Sequence, residues 1–238
     1  MHIEQAAEAE LREQLADLHD HYDQLAARGL SLDLTRGKPG AAQLALSDAL
    51  DGILDGNYRA DDGTDTRNYG GLDGLPEARA LFGAVLGTAP EETLVGGSSS
   101  LTLMYQVMEF ALREGLRGAE SAWSNADQVK FLCPVPGYDR HFSICEYLGI
   151  EMIPVRLLET GPDMDQVESL VAADPAIKGI WCVPRFSNPT GCVYSSNTVE
   201  RMARLPKLAS GQFIVMWDNA YAVHKLYEDA APLASISD

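Results

Sequence analysis

From Pro76 onward the chain alternates short apolar runs with helical patterns, and few folds accept that rhythm. The apolar runs fall at 93–95, 129–133, 151–155, 179–183 and 213–217. Helical spacing fills the intervals at 100–113, 139–148, 164–172 and 198–208. Strands separated by helices in this way predict an α/β domain with a mostly parallel sheet flanked by helices. In such sheets ligands bind beyond the carboxyl ends of the strands, so the residues after each strand are the ones to inspect.

The chain before this region has a different texture. Leu11, Leu15, Leu18, Tyr22 and Leu25 recur at three and four, predicting a helix over about 4–28, and Gly29 follows as a natural stop. Arg36-Gly37-Lys38-Pro39-Gly40 is too rich in Gly and Pro for regular structure. Residues 55–74 are clustered Gly and Asp, ending in Asn68-Tyr69-Gly70-Gly71-Leu72-Asp73-Gly74, and predict a long loop. Pro76 suits the first turn of a helix that continues to Leu86 and stops at Gly87. No internal repeat or low-complexity tract interrupts the 238 residues.

Charge excludes two classes of partner. With 18 Lys+Arg against 35 Asp+Glu the net charge is −17, a field that repels nucleic-acid phosphates and anionic membranes. A local pocket for a small anion stays compatible with it. Cys133, Cys145, Cys182 and Cys192 have irregular spacing and form no C-x-x-C pair. His19 and His21 are two apart and so sit on different faces of a helix, which gives no metal site. The polar N-terminal residues predict no signal peptide, and no run approaches the roughly 18 apolar residues of a membrane span. The expectation is a soluble cytoplasmic protein.

Four strand ends carry chemistry. After the run at 93–95 comes Gly96-Gly97-Ser98-Ser99-Ser100 at a helix start, where hydroxyls and free N–H groups can hold a phosphate. Taken alone this is also an ordinary serine-rich helix cap. It matches neither G-x-G-x-x-G nor G-x-x-x-x-G-K-[ST], so neither NAD nor ATP is favoured. After Cys133, Pro134-Val135-Pro136-Gly137 delivers Tyr138, which can stack on a flat heterocycle or simply cover the sheet. After Val183, Ser187-Asn188-Pro189-Thr190-Gly191 forms a turn that presents an amide. After Trp217, Asp218-Asn219-Ala220-Tyr221 puts a carboxylate at a strand end, where it needs a cation or a donor.

In this order and placement the motifs resemble fold-type-I pyridoxal-phosphate enzymes of the class I/II aminotransferases. The stretches 34–40 and 136–142 are similar to the divergent actinobacterial-type aspartate aminotransferases. The resemblance runs from about Leu32 to Ala222. It implies pyridoxal 5′-phosphate as cofactor, with Asp218 on the pyridine nitrogen and Asn188 and Tyr221 on the phenolic oxygen. Tyr138 would stack on the ring, and Ser98, Ser99 and Ser100 would hold the phosphate. Tyr69 matches a tyrosine that reaches the partner subunit's phosphate in a homodimer. Gly37 matches a glycine near the substrate carboxylate; Arg36 and Lys38 flank it with no assigned role. Amino acids and 2-oxo acids are the implied substrates, with aspartate and 2-oxoglutarate the expected pair.

The family's Schiff-base lysine follows the Asp-x-x-Tyr strand by a few dozen residues. The five lysines here are Lys38, Lys130, Lys178, Lys207 and Lys225, and only Lys225 lies beyond Asp218, too near to it for the next strand. The expectation is therefore a C-terminally truncated chain that lacks this lysine and the small domain. Residues 1–45 would be the N-terminal helix and arm, and 46–238 an incomplete cofactor-binding large domain. Three other readings stay open: a β-elimination or C–S lyase of the same fold, an inactive cofactor-binding fragment, and the effector domain of a regulator. The last fits poorly, because regulators of this kind carry a basic helical domain in front, whereas the first 30 residues hold only Arg12 and Arg28 as basic side chains.

Overall fold

The computed structural model describes residues 7–32, 37–209, 212–225, 227–228, 230 and 232–237. The expected helix start at residues 4–6, and Leu34 to Arg36, lie outside the described residues. The chain divides into two compact units, 1–57 and 58–238.

The first unit is helical. Helix α1 spans Glu8–Ala27, ends at Arg28, and is followed by Gly29 at φ +59°. None of its residues is buried, and Leu15, Leu18, Tyr22 and Leu25 form an exposed apolar stripe. A single turn, α2 (Ala41–Leu44), leads into a 3₁₀ stretch at Ala45–Leu50.

The second unit is the α/β domain. It begins with the predicted irregular loop and then α3 (Pro76–Leu86), which has proline in its first turn and stops at Gly87 in the left-handed region, φ +75°. Then follow α4 (Ser100–Arg113), β1 (Lys130–Val135), α5 (Asp139–Leu148), β2 (Glu151–Leu158), β3 (Gly161–Pro162), α6 (Met164–Ala173), β4 (Ile177–Cys182), α7 (Ser196–Leu208) and β5 (Ile214–Trp217). The sheet order is β3-β2-β1-β4-β5. β2, β1, β4 and β5 run parallel and β3 is antiparallel to β2. The expected strand at 93–95 is absent: these residues are irregular, with Val95 N donating to Asp73 O at 2.9 Å.

Alternation along each strand sends side chains to opposite faces and divides the core in two. Phe131, Cys133, Trp181 and Met216 pack with Met108 of α4 and Ile144 and Cys145 of α5. Leu132, Ile180 and Cys182 pack on the other face with Val167 of α6 and Met202 and Leu205 of α7. The sheet is thus covered on both sides. Among the described residues, no helix is long and apolar enough to cross a membrane.

Candidate functional site

The loops after β1, β4 and β5 and the start of α4 meet at one end of the sheet. Beyond β1 the chain turns so tightly that Gly137 cannot carry a side chain; a Cβ would lie 2.4 Å from Pro134 O. This turn delivers Tyr138, half-buried, immediately before α5. Beyond β4, Ser187 N donates to Cys192 O at 2.9 Å and Gly191 N to Ser187 O at 2.6 Å, closing a turn with Asn188 exposed on it. Beyond β5, Asp218 N donates to Cys182 O at 2.9 Å, so its carboxylate stands where the β4–β5 pairing ends. Ser99 caps α4, accepting from Thr102 N at 3.3 Å and from Thr102 Oγ1 at 3.1 Å.

Seven of the nine residues singled out from the sequence line one cavity of about 310 Å³: Ser98, Ser99, Ser100, Tyr138, Asn188, Asp218 and Tyr221. Tyr69 is not among them; its side chain is fully exposed on the long loop. Gly37 belongs to the first unit, with open space where a Cβ would stand. No lysine or arginine lines this cavity among the described residues. The favourable field for an anion comes from the start of the 14-residue helix α4, whose first N–H groups lack partners within the helix.

Asp218 has a partner that the sequence reading did not assign. Its side chain is 10% exposed, and Oδ2 lies 2.9 Å from Nε2 of the buried His141. An ionised carboxylate only accepts, so Nε2 carries the proton of this hydrogen bond. Tyr138 meets the His141 ring edge-on, centroids 5.1 Å apart, and Trp181 stacks on it at 4.5 Å and 12°. The one available signal was spacing: His141 follows Tyr138 by three residues, one helical turn along α5.

Arg185 is a second residue without an earlier role. Buried after β4, it donates from Nη1 to Ala222 O at 2.7 Å, and its guanidinium lies 5.2 Å from the Phe186 ring. Its Nε and Nη2 are buried without a partner among the described residues. Arg185 lines a larger, mainly apolar cleft of about 780 Å³, which shares Ser100, Asp218 and Ala220 with the first cavity. Among the described residues, no group of three His, Cys, Asp or Glu side chains is arranged to hold a metal ion.

Comparisons with known proteins converge. The model of the aspartate amino-transferase family matches residues 6–237. A Mycolicibacterium smegmatis relative is 51% identical over 212 residues, covering 88% of this chain and 49% of the relative. The aspartate aminotransferase of Corynebacterium glutamicum is 46% identical over 214 residues, covering 90% of this chain and 49% of that protein. The crystal structure of an aspartate transaminase from C. glutamicum superposes with a TM-score of 0.84 at 44% identity, covering 97% of this chain and 54% of that one. The chain spans about half the length of the relatives it matches.

Proposed function

Because the chain belongs to the aspartate aminotransferase family, we propose that it forms the cofactor-binding part of an enzyme that exchanges an amino group between an amino acid and a 2-oxo acid, with aspartate and 2-oxoglutarate as the pair. The observation that carries this reading is the partly buried Asp218 carboxylate, held by His141 and lining the same cavity as three serines at a helix start. That donor set fits pyridoxal 5′-phosphate.

When bound, this cofactor supplies a protonated pyridine ring that draws electrons from the substrate Cα. The chain's own residues provide the conditions. Asp218 would hold the proton on the pyridine nitrogen, and His141 steadies the carboxylate by donating to Oδ2. Ser98, Ser99 and Ser100 would receive the phosphate, helped by the positive end of the α4 dipole. Tyr138 would pack on the ring, and Asn188 and Tyr221 would donate to the phenolic oxygen; all three line the cavity. Tyr69, wholly exposed here, would reach the partner subunit's site in a homodimer.

Titration with pyridoxamine 5′-phosphate tests the reading, since this ligand has no aldehyde to react with stray lysines. Asp218→Ala is expected to weaken binding by about tenfold or more, the scale of a lost charge-assisted hydrogen bond. Equal affinity in the variant and the parent chain would refute the role of Asp218. We also propose that none of the five lysines holds the cofactor covalently. Lys225 is exposed and does not line the cavity, and Lys130 is paired with Asp174 at 2.9 Å. After pyridoxal 5′-phosphate and borohydride, peptide mapping is expected to find no uniquely labelled lysine. Stoichiometric label on Lys225 would overturn this.

A further inference from the structure

Helix α5 grips the Trp181 side chain in two places. His141 lies against the indole face at 4.5 Å and 12°. Cys145, four residues further along the same helix face, accepts a hydrogen bond from Trp181 Nε1 at 3.2 Å. Trp181 is 2% exposed, Cys145 is fully buried, and Phe131 packs against the indole at 5.3 Å and 53°. The Cys145 thiol is itself enclosed, in one core cluster with Cys133, Ile144 and Trp181. The indole is thus pinned in its plane as well as in position.

An imidazole can present either nitrogen to a neighbour and can rotate about its Cβ–Cγ bond. The carboxylate of Asp218 requires one of these arrangements, with Nε2–H directed at Oδ2. We infer that Trp181, anchored by Cys145, is a positioning residue that locks the His141 ring so that Nε2–H meets Asp218. Trp181 does not line the cavity of about 310 Å³, so it acts through His141. Its relevance to catalysis rests on the cofactor reading above; its effect on His141 does not.

The test uses the whole chain labelled with ¹⁵N-histidine, without ligand, and long-range ¹H–¹⁵N correlation to show which His141 nitrogen carries the proton. Trp181→Phe, which can still stack but loses the Nε1–H bond to Cys145, is expected to keep the proton mainly on Nε2 with broadened His141 signals. Trp181→Leu is expected to give exchange between the two nitrogens and about a tenfold loss of pyridoxamine 5′-phosphate affinity, whereas Trp181→Phe stays within about threefold. Cys145→Val, which removes the sulfur acceptor with little change in volume, serves if Trp181→Leu does not fold, and should broaden or shift the same His141 signals. An unchanged His141 pattern in the folded variant overturns the inference and leaves Trp181 as core filling. Parent-like affinity in Asp218→Ala would instead sink the cofactor reading alone, since the imidazole signals are recorded with no ligand present.

Discussion

At Gly179, in the middle of β4, a Cβ would stand 2.4 and 2.5 Å from two ring carbons of Phe131 and 2.6 Å from Ile214 O. Neither neighbour can retreat, because Phe131 is fully buried and Ile214 belongs to the paired strand. Gly179→Ala is therefore expected to cost about 1–3 kcal/mol through overpacking. A chemical-denaturation midpoint equal to that of the parent would contradict this. The same close packing explains which site residues could be read from sequence. Tyr138, Asn188, Asp218 and Tyr221 come after strands of the sheet and Ser98 to Ser100 open a helix, so the chemistry of each is local. His141 was hidden because its role depends on a contact 77 residues away. Trp181 was hidden because an aromatic inside an apolar run looks like core, which it also is.

Elements with a full period and a marked end were legible. The helices at 100–113 and 139–148 coincide with α4 and α5, and α3 runs from Pro76 to Leu86 as its proline and glycine suggest. The short apolar run at 93–95 carried no comparable constraint. Thr93 Oγ1 donates to Ala89 O at 2.9 Å, and Val95 pairs with the long loop instead of with the sheet. The two-residue β3 is too short to leave a pattern. Between α6 and α7, Arg201 clamps both Asp165 and Glu168, at 2.6 and 2.7 Å. Its hydrogen bond holds the Glu168 carboxyl below the usual range, outweighing the smaller effect of burial. A carboxyl lowered in the folded state adds stability above its unfolded pKa, and that stability is lost as pH falls through the folded value. Glu168→Gln is expected to cost about 1 kcal/mol or less at neutral pH, given the solvent around the pair. The difference should vanish in acid. A pH-independent difference in unfolding free energy would refute the assignment.

Over the whole molecule, the proposed ligand touches parts of the chain that are remote in sequence. The start of α4, the turns after β1 and β4 and the end of β5 all contribute to one cavity in the second unit. Binding at that cavity must therefore stabilise the unit as a whole. Pyridoxamine 5′-phosphate at one hundred times its dissociation constant is expected to add roughly 2.7 kcal/mol and to raise the thermal midpoint. A midpoint that does not move with ligand would show that the cavity does not recognise it. The His141–Asp218 hydrogen bond adds a kinetic consequence. It spans the crossovers through α5, α6 and α7, so a loop of 77 residues must close before the pair exists. The carboxylate then has its partner only once the strands between them are in register. Capture of the proposed ligand during refolding is accordingly expected to come late, and its onset would time the completion of the sheet.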